Sequence, residues 1–211
     1  MNKNVFNIMP LIIREKRFYK IISFALMLIC CASLATAVDL QLPKPDVLSE
    51  ETIYLTQKMS AYYETLLIKE FSVEGVEFSN VNDEEKIKIQ LMLPLLKSNV
   101  TLALESELKS KKIYKNIVKS GAAPGRTVII EGYFIEFNAG NRMLKYVGGG
   151  KPSIKFKGRL IDGASGKELA TFAGSEIGSR GEIAVEGFEN LFPYQAKGIG
   201  ESLSTFLEKL Y

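Results

Sequence analysis

The chain of 211 residues contains no histidine and no tryptophan, and its two cysteines are the neighbours Cys30 and Cys31. Without histidine, the commonest general base and the commonest metal ligand are missing, so Ser-His-Asp catalysis is excluded. Adjacent cysteines rarely bridge each other, because a disulfide needs separated Cα atoms and converging Cβ vectors. Only carboxylate, Lys, Tyr or Ser-Lys catalysis stays open, and we expect neither a cofactor nor a metal.

The N-terminal segment has the three parts of a secretory signal. Five basic residues and the single acid Glu15 lie in residues 1–37, and an uncharged apolar run extends from Ile21 to Leu34. The run ends in a small-x-small site for cleavage after Ala37, and its 14 residues are short for a membrane-spanning helix. We therefore predict that residues 1–37 are an export signal and that the protein resides in the periplasm.

Three fates of this segment stay open. Cleavage after Ala37 would leave a domain without cysteine. Lipidation at Cys31 is the second, because Leu28 stands three residues before it, although Cys30 occupies the position where a small residue belongs. The third is a membrane anchor that is not cleaved, because the apolar patch at 5–13 adds to the apolar length of the segment. Mass spectrometry of the mature N-terminus distinguishes them.

Removal of the signal changes what the charge balance means. The whole chain has 27 basic and 24 acidic side chains, whereas residues 38–211 have 22 basic and 23 acidic ones. A nearly neutral domain lacks the basic patch expected of a nucleic-acid-binding protein. With both cysteines gone, thiol nucleophiles and cysteine zinc sites are excluded as well. We expect no nucleic-acid partner and membrane contact only through the N-terminus.

The remaining pattern predicts an α+β two-layer sandwich, with a mostly antiparallel sheet and two helices on one face. Residues 38–62 are predicted as a linker with a short helix from Ser49, and residues 63–211 as one domain. Asn82 and Glu85 form a capping box at the start of a long helix that Pro94 should kink. The predicted strands are 63–73, 112–118, 126–137, 152–161 and 167–177, and the helices are 82–111 and 190–211.

A glycine-rich segment at 138–151 joins the strongest predicted strand to the following hairpin. It is not a phosphate-binding loop, because Gly150-Lys151 is followed by Pro152-Ser153 and a strand rather than by a helix. It is either a crossover that needs glycine or a loop that contacts a partner. The candidate partner-binding residues are Asn141, Arg142, Lys145, Tyr146, Gly148, Gly149 and Gly150.

These residues also carry a resemblance to a known family. Glu131-Gly132, Gly140-Asn141-Arg142, Lys145-Tyr146-Val147-Gly148, Arg159-Leu160-Ile161-Asp162 and Gly166-Lys167-Glu168-Leu169-Ala170 resemble the bacterial domain of unknown function 4410, over about residues 63–211. The resemblance implies an exported protein, often a lipoprotein, and no assigned reaction. The run Gly148-Gly149-Gly150 departs from the family pattern, in which an aromatic residue follows Val-Gly.

Three functions remain in view. The first is a non-enzymatic binding or assembly module of the envelope, with an envelope protein or cell-wall component as its partner. The second is an enzyme that acts on the cell wall with two carboxylates, for which Glu131, Glu136, Asp162 and Glu168 are available. The third is a carrier of a small ligand or lipid, which would need an internal apolar cavity.

Overall fold

The computed structural model describes residues 41–121, 125–140, 150–177 and 187–211, which contain seven β-strands and two α-helices. The predictions that concern Cys31, Ala37 and residues 141–149 lie outside these ranges. The strands are β1 (Glu50–Ile53), β2 (Thr65–Ile68), β3 (Glu77–Ser79), β4 (Asn116–Val118), β5 (Thr127–Asn138), β6 (Ser153–Asp162) and β7 (Glu168–Ile177). The helices are α1 (Asp83–Lys111) and α2 (Phe188–Leu210).

The strands form one open, mixed sheet with the order β1-β7-β6-β5-β2-β4, and β3 pairs with the far end of β5. Antiparallel pairing joins β1, β7, β6 and β5, whereas β2, β3 and β4 pair in parallel with their neighbours. The α+β class is confirmed, and the long ladders are antiparallel as predicted. The parallel pairing of β2, β3 and β4 is the exception to the predicted antiparallel sheet, and α1 provides the crossover that parallel neighbours require.

Aromatic rings fill the space between the sheet and the helices. The ring centroids of Phe137 in β5 and Phe192 in α2 are 5.4 Å apart, and those of Phe172 in β7 and Phe206 in α2 are 5.5 Å apart. A bulge after Phe134 inserts one residue into β5, so that Phe134 and Phe137 both face the helices. The opposite face of the sheet carries charged side chains and has no helix from the described residues against it.

Helix α1 begins as its sequence predicts. The Glu85 amide donates to Asn82 Oδ1 at 2.8 Å, and the Asn82 amide donates to Glu85 Oε2 at 3.0 Å, which completes the capping box. The helix is continuous through Pro94 to Lys111. Its buried face includes Ile89, Leu96, Val100, Leu104 and Leu108.

Residues 41–62, predicted as a linker with a helix from Ser49, pack against the rest of the domain. The structure has the edge strand Glu50–Ile53 in place of that helix, and one 3-10 turn follows at Met59–Ala61. Glu50 and Glu51, the acids after Ser49 that are typical of a helix start, point to opposite faces of the strand. The carboxylate of Glu51 points inward and accepts hydrogen bonds at 2.8 to 2.9 Å from the amides of Asp46, Val47 and Leu48.

Candidate functional site

The glycine segment is described only at its two ends. Gly140 follows β5 and Gly150 precedes β6, and both have positive φ, at 80° and 78°. A Cβ atom on Gly140 would overlap the carbonyl oxygen of Gly150, so glycine is required there by both conformation and space. The chain therefore enters and leaves this segment through a narrow stem. The other predicted partner-binding residues lie outside the described ranges: Asn141, Arg142, Lys145, Tyr146, Gly148 and Gly149.

Side chains from three parts of the fold hold the stem. Asn138 Oδ1 accepts a hydrogen bond from the Gly140 amide at 2.8 Å and another from Asn80 Nδ2 at 3.0 Å. On the other side, Gln195 Nε2 of α2 donates to the carbonyl oxygen of Pro152 at 2.7 Å in a buried position. Gln195 was not predicted, because a single amide within an apolar helix stripe forms no recognisable motif.

The carboxylates considered for catalysis on the outer sheet face are paired with cations. Glu131 contacts both Lys69 and Arg159, and Arg159 donates to it from Nε at 2.9 Å and from Nη2 at 2.8 Å. Partial burial raises the pKa of Glu131, but the hydrogen bonds from Lys69 and Arg159 outweigh it and hold the pKa below its ordinary value. Lys155 lies 2.6 Å from Glu136 and lowers the pKa of that carboxyl, with help from Ser79.

Asp162 is a turn residue, as its sequence context predicts. Its Oδ1 accepts hydrogen bonds from the amides of Ala164 at 3.0 Å and Ser165 at 2.6 Å, and its Oδ2 accepts one from the Tyr63 hydroxyl at 2.6 Å. The Tyr63 hydroxyl and the Ser165 amide keep the pKa of Asp162 below its ordinary value. Burial, together with this partner, raises the pKa of Tyr63 above its usual range.

Glu176 differs from these carboxyls because its pKa is raised rather than lowered. Its sequence context did not single it out. It lies near the end of β7 on the face that meets α2, and its Oε1 accepts a hydrogen bond from Ser202 Oγ at 3.0 Å. Burial raises its pKa, and the nearby Glu201 adds to the effect. Glu201 itself pairs with Lys197 at 3.1 Å. The described residues contain no group of His, Cys, Asp and Glu side chains that could hold a metal ion.

A shallow cavity of about 430 Å³ opens on the outer face of the sheet. Outward side chains of four adjacent strands line it, namely Glu50 and Thr52 of β1, Thr171 and Ala173 of β7, Lys157 and Arg159 of β6, and Tyr133 of β5. The alternating burial of β6 places Lys155, Lys157 and Arg159 on one face. Which residues of β5 and β7 lie beside them depended on the register, which the sequence did not specify.

The outer surface of α1 carries large aliphatic side chains that face solvent. Their exposed fractions are 57 % for Ile87, 77 % for Leu91, 51 % for Leu95 and 52 % for Leu102. Spacing by four places Ile87, Leu91 and Leu95 in one stripe along the helix. By length and composition α1 would also suffice to cross a membrane, a criterion that core helices of soluble domains meet as well.

Comparison with known proteins yields distant structural neighbours. A PelC dodecamer from Paraburkholderia phytofirmans is 12 % identical and matches 74 % of this chain and 94 % of its own, with a TM-score of 0.41. A PDZ domain protein from Parabacteroides distasonis is 12 % identical over 71 % of this chain and 34 % of its own, with a TM-score of 0.34. A homologue of neuraminyllactose-binding hemagglutinin from Helicobacter pylori is 14 % identical over 72 % and 81 %, with a TM-score of 0.32.

At these TM-scores the neighbours support no conclusion about function or assembly. No curated protein sequence matches the chain. A family model does match residues 66–181, which is more than half of the chain, and it spans the sheet from β2 to β7 together with α1 and both ends of the glycine segment. The chain therefore belongs to the family described as domain of unknown function DUF4410.

Proposed function

We propose that this protein is a non-enzymatic binding and assembly module of the bacterial cell envelope. The observation that carries the proposal is the exposed apolar stripe of α1, formed by Ile87, Leu91 and Leu95. Exposed apolar patches on monomeric domains typically mark interaction surfaces. The N-terminal export pattern supports the envelope as the place where this surface acts.

The stripe is unusual because the helix is apolar on more than one side. Over residues 87–96 the sequence IKIQLMLPLL has two polar side chains, Lys88 and Gln90. Ile89 and Leu96 are buried against the domain, so the core uses only one side of this segment. Burial of one large aliphatic side chain contributes about 1.5 to 3 kcal/mol. Contact with a partner would recover the part of that contribution that belongs to the exposed fraction of each side chain in the stripe.

The charges beside the stripe favour a protein partner over a lipid surface. Helices that lie on membranes carry Lys and Arg side chains on their polar face that can attract anionic lipids. Here Lys88 pairs with Glu189 at 3.7 Å, and Lys97 pairs with Glu70 at 2.6 Å. These acids reduce the attraction of Lys88 and Lys97 to an anionic surface, and Lys86, the remaining cation beside the stripe, lies over the Phe78 ring. We infer that the occupant is an apolar protein surface.

The paired carboxylates support a role without catalysis. A glycosidase-type mechanism needs one carboxyl with a raised pKa and a second one on the opposite side of the substrate. The pKa values of Glu131, Glu136 and Asp162 are all lowered by their own partners. Glu176 has a raised pKa, but its side chain is directed at α2. Fully buried phenyl rings occupy the described interior, which does not favour an internal carrier cavity.

Site-specific photo-crosslinking in intact cells tests the proposal. A photoreactive amino acid at position 91 should capture a discrete protein species, and the same probe at position 177 should not. Ile177 is the matched control, because it is also a large aliphatic side chain and is 63 % exposed at the end of β7. The change Leu95→Lys should abolish the product from position 91 and leave thermal unfolding unchanged, because Leu95 is half exposed.

The outcomes separate the alternatives. A crosslink to a second copy of the chain would identify self-assembly as the use of the stripe, and a crosslink to another envelope protein would identify that protein as the partner. Products with phospholipid alone, or equal labelling from positions 91 and 177, would contradict the proposal.

A further inference from the structure

We propose that the cavity on the outer sheet face binds a glycan that carries an anionic group. This site lies on the face of the sheet opposite the helices, so it is independent of the stripe on α1 and goes beyond the binding function proposed above. The inference rests on the arrangement of charges, hydroxyls and one aromatic ring across four strands.

The strand register places the side chains of the cavity in two cross-strand rows. One row runs Thr52, Thr171 and Arg159 across β1, β7 and β6 and continues to Glu131 of β5, which lies outside the lining of the cavity. The other row runs Glu50, Ala173, Lys157 and Tyr133. Neighbouring strands are separated by about 4.8 Å, so each row is about 14 Å long. That length matches a short oligosaccharide lying across the strands.

Lys157 is the cation that remains available in this cavity. Its neighbours on β6 are both paired, Lys155 with Glu136 and Arg159 with Glu131. Lys157 stands opposite Tyr133 on one side and Ala173 on the other, and neither can neutralise it. It forms no ion pair with any residue that the structure describes. An anionic group of a ligand would give this ammonium the partner that the sheet does not supply.

The remaining lining suits a polyhydroxylated ligand better than a bare anion. Thr52 and Thr171 face each other across β1 and β7, and no side-chain hydrogen bond from either one reaches a described residue. Ala173 lies between Glu50 and Lys157 in its row, and its small side chain leaves space for a ligand above the sheet there. Hydroxyl groups of a sugar can donate to the Glu50 carboxylate and exchange hydrogen bonds with both threonines. The phenol ring of Tyr133 offers a flat wall for the C–H face of a sugar ring.

The size and openness of the cavity agree with this ligand class. Its volume of about 430 Å³ lies within the range of sites for small ligands, about 300 to 1,000 Å³. It is a depression in an exposed face rather than an enclosed chamber, so a longer chain can pass through it and extend beyond both ends. A polymer chain requires such open ends, whereas an enclosed chamber suits a single small molecule.

Calorimetric titration of the protein, purified as cells produce it, tests the proposal with tetragalacturonate as the acidic probe. Maltotetraose is the neutral probe of equal length, and inorganic phosphate is the bare anion. We expect tetragalacturonate to bind and Lys157→Ala to weaken it about tenfold or more, as the loss of a charged hydrogen bond implies. Lys157→Arg should retain most of the affinity.

Lys155→Ala is the matched control, because it removes the same charge from the same face of the same strand. It should change the affinity less than about twofold, and Leu91→Lys should leave the affinity unchanged. An equal loss in Lys155→Ala would overturn the proposal in favour of diffuse attraction. Equal binding of maltotetraose, full competition by phosphate at the same concentration, or no binding of tetragalacturonate would overturn it too. None of these failures would affect crosslinking from position 91.

Discussion

The hydrogen bond from Tyr63 to Asp162 connects two distant parts of the chain. Tyr63 precedes β2 and is almost fully buried, whereas Asp162 ends β6 and organises the turn to β7. The phenol donates to a carboxylate, and hydrogen bonds to charged groups are among the stronger ones in proteins. At the scale of a residue, this bond couples the parallel half of the sheet to the antiparallel hairpin.

We predict that Tyr63→Phe lowers the free energy of unfolding by about 1.5 kcal/mol at pH 7. The folded-state pKa of Asp162 lies below its unfolded value, so the stabilisation is present above the unfolded pKa and is lost as the pH falls through the folded pKa. The difference between the two proteins should therefore shrink at about pH 2.5, below the ordinary pKa of Asp. Urea unfolding of the two proteins at pH 7 and at about pH 2.5 measures this difference in unfolding free energy.

Tyr62→Phe is the control for this change. Tyr62 is the preceding residue, and half of its side chain is exposed, so loss of its hydroxyl should leave the unfolding free energy nearly unchanged at both pH values. A penalty for Tyr63→Phe that is equally large in acid would mean that packing of the ring, rather than the bond to Asp162, stabilises this position.

The antiparallel half of the sheet depends on glycine beneath aromatic rings. Phe71 lies over Gly132, and Phe172 lies over Gly158, which pairs with Gly132 across β5 and β6. A Cβ atom at either glycine would overlap the ring above it. These glycines cost some strand stability, but they let the rings approach the backbone closely. At the scale of an element, these contacts pack the rings of Phe71 and Phe172 directly against the backbone of β5 and β6.

The two helices also approach each other closely at a glycine. Gly200 of α2 faces α1, and a Cβ atom there would lie 2.5 Å from the carbonyl oxygen of Val100 and 2.8 Å from Cβ of Ala103. Gly200→Ala should lower the unfolding free energy by about 1 to 3 kcal/mol, because overpacking outweighs the gain of about 1 kcal/mol in helix propensity. Thermal unfolding followed by circular dichroism measures the change.

Gly198→Ala is the matched substitution in the same helix. A Cβ atom at Gly198 would meet the Glu176 carboxylate at 3.4 Å, a tolerable contact with the end of a flexible side chain. Here the propensity gain should prevail, so the protein should become more stable by up to about 1 kcal/mol. If both alanines changed stability in the same direction, the close contact between the helices would not be the deciding factor.

At the scale of the whole molecule, the domain extends beyond the residues first predicted to form it. Residues 41–211 form one compact unit, and the family match begins at residue 66, inside β2. The segment before Tyr63 supplies the edge strand β1. It also contributes the buried side chains of Ile53, Leu55 and Met59 to the core.

We predict that a fragment of residues 41–211 folds, whereas a fragment of residues 63–211 is much less stable. The shorter fragment loses three buried apolar side chains, each of which contributes about 1.5 to 3 kcal/mol. It also exposes the backbone of β7 as a new sheet edge, which favours aggregation. Far-UV circular dichroism and urea unfolding of the two fragments measure the difference. Equal stability would mean that β1 and the turn after it are dispensable.

Local patterns in the sequence predicted several elements closely. The capping box of α1, the alternation of β6, the turn at Asp162 and the closing helix all depend on neighbouring residues, and local hydrogen bonds or side-chain periodicity determine them. Ser49-Glu50-Glu51 misled the prediction, because the same letters suit a helix start or an edge strand. Contact with β7 and the amides of the preceding turn decided in favour of the strand.

By itself the sequence determined the class of the fold, the extent of its two helices and three longest strands, and the exclusion of histidine and thiol chemistry, because composition and short-range periodicity suffice for these. Only the tertiary structure decided the order of the strands, the open stripe on α1 and the lack of an ion pair at Lys157 among the residues that the structure describes. Each of these depends on which distant segments become neighbours, and that choice follows from how the whole core packs. A lysine on a strand has the same local sequence whether or not the adjacent strand brings it a carboxylate.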